Sequence, residues 1–329
     1  MTVYEISICP ESGFGSPIKG DTLMGHFCWQ IVYQPNLVEG GLEHVLDHYL
    51  EKPFAVFSSA FPKLIGNRKG YAFKRPDVPV SWLFKPQANR KDTYEKNKDN
   101  KKKRWILADE NLMIDLTQAY LTDKDIINSD HLWISQRQPH NSINRLHNKT
   151  GSNDFAPFVT ENIYYAPDTE LAIFVCIDNQ QTNIENIKKG IENIGMFGFG
   201  KDASTGKGRF RIKETKEHKW PKLDNANACL TLAPSVPDKF EKSRIFFTPF
   251  IRFGKHGDRL VKSGRPFKNP VVMADEGAVY IPENRKIFEK PYIGRGIKGK
   301  SKALSSVYTQ GYAPYLPIYL EEANEKNKL

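Results

Sequence analysis

The sequence predicts an α+β fold, and three observations carry that expectation. Residues 1–218 run strand, helix, strands, then strand, helix, strand, the βαββαβ order of a ferredoxin-like unit. Residues 225–322 hold several short strand-like runs and no long amphipathic period, so they read as a second, degenerate sheet domain. Between the second helix pattern and the strand after it lies the glycine-rich stretch "GMFGFGKDASTGKGRF" (195–210).

Size and composition agree with this division. At 329 residues the chain is long for one hydrophobic core and comfortable for two domains. Hydrophobic residues at 39% and charged residues at 26% describe a packed chain and exclude a disordered one. The formal net charge of +10 points to a polyanionic partner, nucleic acid before membrane. Cys9, Cys28, Cys176 and Cys229 stand far apart in apolar contexts, with no CxxC pair or Cys/His cluster. Neither a metal site nor a disulfide framework is expected, and no cofactor. No apolar run reaches bilayer length, and "MTVYEISICPESG" reads as a strand instead of a signal peptide, so a cytoplasmic protein is expected.

The elements follow in order. Val3, Ile6 and Ile8 mark a first strand, broken by Gly13, Gly15 and Pro17. In "GDTLMGHFCWQIVYQ" (20–34), Leu23, Met24, Phe27, Cys28, Ile31 and Val32 keep a helical period that Asp21 or Thr22 can cap. A second helix is expected over 41–52, and "FAVFSSAFPK" (54–63) is strand-like. Residues 85–104 carry nine basic and three acidic residues and almost nothing apolar, which reads as a solvated insertion; the sharper alternative is a segment that brushes RNA or a partner. A short helix is expected over 112–121. "TELAIFVCID" (169–178) is the clearest buried strand. Ile184, Ile187, Ile191 and Ile194 then repeat at helical spacing behind a cap at Asn183 or Thr182, and "GRFRIKE" (208–214) returns to a strand. A connector (220–228) leads to strand-like runs at 228–234, 244–254, 270–281 and 313–320.

The glycine-rich stretch is the strongest functional signal. It is not a phosphate-binding P-loop: Gly206 and Lys207 precede Gly208 instead of Ser or Thr, and Lys201 stands where the first glycine belongs. The order of elements is also reversed, since a P-loop follows a strand and opens a helix. Its glycines, among them Gly198, Gly200 and Gly206, permit positive φ and close backbone approach, so that N–H groups can meet phosphates. Lys201, Lys207 and Arg209 add charge, and Ser204 and Thr205 can donate to phosphate oxygens. Phe197 and Phe199 either stack on bases or fill the core, and core packing is favoured for the pair. Lys19 and Gly20 stand before the first helix, whose N-terminus either attracts phosphate or is an ordinary capped start; the residues alone leave both open. In "HNSINRLHNKTGSNDF" (140–155), Arg145 and Lys149 are contact candidates among adaptable Asn and Ser side chains, ahead of a strand at "FVTENIYYA". Residues 252–268 and 285–302 are again basic, the latter with seven basic and one acidic residue and Tyr292 available for stacking. For these basic and polar stretches, a solvated surface is the plain alternative.

A ribonuclease without a metal would need a base for the 2′-OH and an acid for the leaving oxygen. His26, His140 and His147 are the candidates, with His26 foremost, and a structural or RNA-contacting role is favoured over a catalytic one.

Several segments together resemble the RAMP proteins of type III-A CRISPR effector complexes, in particular the fourth Csm subunit. They are "PIKGDTLMGHFCW" (17–29), "SSAFPK" (58–63), "NSINRLHNKTG" (141–151), the glycine-rich stretch, "VVMADEGAVY" (271–280) and "GYAPYLPI" (311–318), which span nearly the whole chain in family order. The resemblance implies two ferredoxin-like (RRM-like) domains, 1–218 and a degenerate 225–322, and a thumb-like hairpin within 140–165. It implies a non-catalytic subunit that caps the 5′ handle of crRNA and contacts the large polymerase/cyclase subunit and the backbone RAMP subunit. The implied RNA-lining residues are Lys19, Gly20, Asn141, Ser142, Asn144, Arg145, Lys149, Thr150, Gly198, Gly200, Lys201, Ser204, Thr205, Gly206, Lys207 and Arg209. Tyr292, Arg295 and Lys298 of the last basic segment join them as single-strand contacts. The 85–104 insertion is longer and more charged than the family pattern. Three alternatives remain: an endoribonuclease that generates the guide through His26, the equivalent cap subunit of a type III-B complex, and a basic scaffold for protein contacts.

Overall fold

The apolar run Leu171–Ile177 is buried along its whole length, and it lies inside a six-stranded sheet in the computed structural model of the chain. Residues 1–64, 69–84, 98–100, 102–118, 120–127, 129–151, 155–238 and 242–324 are described. The strands of this sheet are β1 (Thr2–Pro10), β2 (Ala55–Leu64), β3 (Gly70–Lys74), β4 (Trp105–Ala108), β7 (Leu171–Ile177) and β8 (Phe210–His218), ordered β4-β3-β2-β7-β1-β8. A further pair, β5 (Trp133–His140) and β6 (Phe158–Tyr165), forms a separate hairpin. The order β2-β7-β1-β8, antiparallel throughout, is the 2-3-1-4 arrangement that a βαββαβ chain makes, with β3 and β4 added beside β2.

Helix α1 (Gly20–Tyr33), the short α2 (Gly41–Asp47) and α3 (Ile184–Phe197) cover one face. Ile187, Ile191 and Ile194 bury the inner side of α3 against Phe27 and β8, and Asn183 caps it by accepting from Asn186 N–H at 2.9 Å. Gly190 allows Phe27 to lie on the helix, since a Cβ there would come within 2.3 Å of the ring. Helix α1 starts differently from expectation. Its N-cap is Lys19 with no side-chain cap, and Asp21 instead receives both arms of the Arg252 guanidinium.

The second sheet has the order β10-β13-β9-β17-β14, from β9 (Ala228–Thr231), β10 (Ser243–Phe246), β13 (Val279–Pro282), β14 (Tyr292–Gly294) and β17 (Tyr312–Ile318). Its first four strands repeat the 2-3-1-4 spatial order, all antiparallel, while the connections after β9 and β13 carry no α-helix among the described residues. Two short ribbons flank it: β11 (Pro249–Arg252) with β12 (Val271–Ala274), and β15 (Ile297–Lys298) with β16 (Tyr308–Thr309).

The two sheets share a core. Phe61, Phe73 and Phe174, on the first sheet's face away from its helices, pack with Leu230, Val279 and Leu316 of the second. This closes to nucleic acid the sheet face on which an RRM stacks bases. Polar contacts across the junction include Gln310, whose amide donates to Phe57 O at 2.7 Å and accepts from Phe57 N–H at 3.0 Å.

Several expectations need correction. Residues 112–118 and 120–121 form turns and short bridges instead of a helix, and a single helical turn comes later at Asp123–Ile126. The run at 244–254 is divided into β10 and β11, and that at 270–281 into β12 and β13. Strand β5 has no counterpart in the apolar pattern, because six of its residues in succession, Ile134 to Pro139, are exposed. Most of the 85–104 insertion lies outside the described residues. Among those described, no helix is long and apolar enough to cross a membrane, and no three metal-ligating side chains cluster.

Candidate nucleic-acid interface

Between α3 and β8 the chain turns on a series of positive-φ residues: Gly198, Gly200, Asp202, Gly206 and Gly208. The loop is packed as well as bent. A Cβ on Gly208 would come within 2.1 Å of Phe199 O, and one on Gly198 within 2.4 Å of Lys207 O, so Gly198 and Gly208 are buried structural positions. Phe199 is fully buried beneath the loop, whereas Phe197 is 67% exposed. The expectation of two core phenylalanines holds for only one, because the helix ends between them and turns Phe197 outward.

The loop amides are largely committed inside the protein. Gly200 N–H donates to His26 Nε2 at 3.0 Å, Lys201 N–H to Ser16 Oγ at 3.2 Å, Gly208 N–H to Gly13 O at 2.8 Å and Arg209 N–H to Ser12 Oγ at 2.8 Å. Thr205 and Gly206 N–H close turns within the loop. These six amides therefore position the loop and are not free to cradle phosphate. The charge it offers is in its side chains: Lys201 and Arg209 are exposed and, among the described residues, make no ion pair. Ser204 and Thr205 are also exposed. Lys207 leans over the Tyr164 ring at 5.7 Å, joining the loop to β6.

His26 is the keystone of this loop. Its ring packs on Phe199 with centroids 5.0 Å apart, and its Nε2 is the acceptor for Gly200, which fixes the neutral tautomer with the proton on Nδ1. Burial pushes its pKa down to about 4. With Nε2 occupied, the ring as placed is not poised to take a proton from a ribose hydroxyl. Because the folded pKa lies below the unfolded value of about 6.5, stability is fully present above pH 6.5 and is lost as the pH falls toward 4. Wild type should lose about 2 kcal/mol between pH 7 and pH 5 on this account. His26→Gln, which keeps an acceptor but cannot titrate, should not show that loss in urea unfolding.

The hairpin β5–β6 stands beside the loop. Its base is pinned by a Phe14–Ile163 bridge and by Trp133 packed edge-on to Trp105. Its far end exposes Ile143, Leu146, Phe158 and Val159, with Leu146 at 89%. Asn141, Arg145, Lys149 and Thr150 are exposed there, and Ser142 is partly so. Asn144 is a turn former: its carboxamide accepts from Leu146 N–H at 2.9 Å and its N–H donates to Lys149 O. A cleft of about 550 Å³ runs under the hairpin base, lined in part by Ser12, Tyr164, Arg211 and Lys213.

Other sequence candidates are placed elsewhere. Lys19 is buried and bonded to Asp275 and Glu276 at 2.5–2.7 Å, so its charge is spent within the protein. Gly20 is buried against β2, where a Cβ would meet Phe57 O at 2.1 Å. Tyr292 packs edge-on against Tyr312 at 5.5 Å and faces the core instead of offering a stacking surface. Arg295 donates to Pro237 O, and Lys298 lies over Tyr308 at 5.1 Å. The sequence could not show these pairings, since Lys19 and Asp275 stand 256 residues apart.

No family model and no curated protein matches the sequence. Solved structures do. A chain of the Csm1–Csm4 cassette in complex with cA4 superposes with a TM-score of 0.58 at 15% identity, over 97% of this chain and 99% of that one. The same cassette with pppApA gives 0.57 at 16% identity, over 98% and 100%. The Csm3–Csm4 subcomplex of the type III-A CRISPR-Cas interference complex gives 0.52 at 15% identity, over 97% and 100%. The subunit common to both assemblies is Csm4. This chain has the Csm4 fold. The likeness extends across nearly the whole of both chains, so the Csm4 fold accounts for the second, helix-poor sheet as well as for the first.

Proposed function

We propose that this chain is the non-catalytic subunit of a type III CRISPR interference complex that caps the 5′ handle of crRNA and bridges the large and backbone subunits. The observation that carries the reading is the end-to-end Csm4 fold, whose solved counterparts sit in assemblies with Csm1 and with Csm3. The two sheets are then two ferredoxin-like domains, the second degenerate through loss of its crossover helices. RNA would lie across the glycine loop and under the β5–β6 hairpin, held by Lys201, Lys207, Arg209, Arg145 and Lys149. The grip is made by side-chain cations on a prepositioned loop, with exposed apolar hairpin residues available to pack on splayed bases. No observation favours the nuclease reading, since His26 serves the loop.

The test is binding and cleavage of labelled repeat RNA, alone and with the large subunit, by wild type and a Lys201→Ala/Lys207→Ala/Arg209→Ala variant. Wild type should bind without cutting. If all three cations meet phosphates, the variant should lower the slope of log K against log salt by about 2. Site-specific cleavage by wild type, or binding indifferent to salt, would overturn the reading.

A further inference from the structure

Gly25 has no structural explanation among the described residues. It sits in the middle of α1, where glycine is destabilising relative to alanine, and a Cβ added there would meet nothing within 4 Å. Apart from Gly151 in the exposed hairpin tip, the other described glycines have a positive φ or a close neighbour, whereas Gly25 faces open space in the middle of a helix. By helical phase it lies on the outward stripe with Thr22, Trp29 and Tyr33. Trp29 and Tyr33 are stacked, with centroids 6.2 Å apart and planes at 29°, and Tyr33 is 55% exposed.

Two walls flank this stripe. On one side His26 reaches the glycine loop through Gly200. On the other, Asp21 and Cys28 face the basic arm that follows β11. The arm is held by Lys268 N–H to Gly254 O at 2.8 Å, His256 N–H to Pro266 O at 2.8 Å, and Asn269 N–H to Lys300 O at 2.7 Å. Gly257 of the arm comes close to the Trp29 indole. The Lys268 stem runs beneath Gly254, and among the described residues no carboxylate pairs with its ammonium; Asp21, which it senses, is occupied by Arg252. Residues 252–268 hold six basic residues and one acidic. The floor thus offers a bare stretch of helix backbone followed by two aromatic rings, between the glycine loop on one side and the basic arm with Lys268 on the other.

We propose that this groove across α1 takes the backbone of single-stranded RNA, with a phosphate seated over Gly25 beside Lys268 and a base or ribose stacked on the Trp29–Tyr33 pair. It extends the proposed RNA path from the glycine loop, and it rests on that reading. A bare glycine lets a sugar–phosphate chain approach the helix, and a stacked aromatic pair holds bases without regard to sequence.

The test uses the full chain and fluorescein-labelled oligouridylate, which stays single-stranded. Gly25→Ala should raise the melting temperature, because the new methyl has room and alanine favours the helix. Gly25→Leu should remain folded yet bind roughly tenfold more weakly by filling the floor. Trp29→Ala should lose at least roughly fivefold, and RNA should quench indole fluorescence in wild type but not in Trp29→Phe. If Gly25→Leu and Trp29→Ala bind as wild type while the Lys201/Lys207/Arg209 variant fails, the groove is overturned and the glycine-loop reading stands. If Gly25→Leu spares RNA but blocks association with the large or backbone subunit, the groove is a protein interface and the proposal falls. If wild type itself does not bind, the RNA reading falls with it.

Discussion

Lys19→Met should destabilise the chain by about 3–5 kcal/mol, the usual cost of removing one partner from a buried ion cluster. The lysine side chain is 10% exposed and its ammonium contacts both Asp275 and Glu276, in the turn between β12 and β13. Burial alone would push its pKa down, but the charges of Glu276 and then Asp275 outweigh this and raise it. Its contribution is therefore complete below the ordinary lysine value and is lost only as the pH rises through the raised one. Without the cation, Asp275 keeps Lys74 at 3.6 Å, while Glu276 would have no cation among the described residues. Urea unfolding would measure the loss. An RNA-binding assay on Lys19→Met at a temperature where it is still folded separates the two roles proposed for this residue. A structural tie between the sheets predicts an unchanged salt slope; a phosphate contact predicts a slope lower by about 0.7.

How much of this was legible in the sequence depends on the range of the interaction. Strand β7 and helix α3 could be read directly, because seven consecutive buried residues and the Ile187, Ile191, Ile194 stripe are local patterns. The cap at Asn183 was equally local. The glycine loop was recognisable, but its use of amides was not: the acceptors for Gly200 and Gly208 lie on α1 and after β1, some 170 to 200 residues earlier. The same distance hides the role of His26. The second sheet repeats the spatial order of the first, yet its missing crossover helices leave no 3.6-residue period to announce it. Strand β5 was invisible because the hairpin stands away from the core, so its residues carry no alternation. Lys19 and Gly20 looked like a phosphate site for the reason that cations and glycines at helix starts often are; only the fold reveals that both are used for packing.

The second large effect is expected at Glu5. This carboxylate is 1% exposed on the first sheet's inner face and is approached by four donors: Ser7 Oγ at 2.6 Å, Tyr71 OH at 2.6 Å, Lys63 Nζ at 2.8 Å and His218 Nε2 at 2.9 Å. Burial on its own would push the carboxyl up; the bonds from His218, Lys63, Ser7 and Tyr71 overcome it and hold the group well below the usual carboxylate range. Its contribution is thus fully present above the ordinary glutamate value of about 4.3 and falls away as the pH drops below that toward the depressed one. Glu5→Ala should cost about 3–5 kcal/mol, because Lys63 loses its shortest ion pair and the Tyr71 hydroxyl loses its 2.6 Å acceptor, keeping only His218 Nε2 at 3.2 Å. Lys63 also reaches Glu170 and Glu214 at 3.4 and 3.3 Å, so removing Glu5 leaves Lys63 still paired, whereas removing Lys63 leaves the buried Glu5 carboxylate with two hydroxyl donors and His218. Glu170 retains Lys213 at 2.6 Å. A double-mutant cycle between Glu5→Gln and Lys63→Met should therefore show a coupling of about 1–3 kcal/mol, with the double variant more stable than the sum of the singles. Equal additivity would mean that solvent already screens Lys63, and that Tyr71 and His218 carry the network. Since β1 leads straight into Ser12 and Gly13, which hold the glycine loop from below, loosening this network should also raise hydrogen exchange at Gly208 and Arg209 before the sheet unfolds.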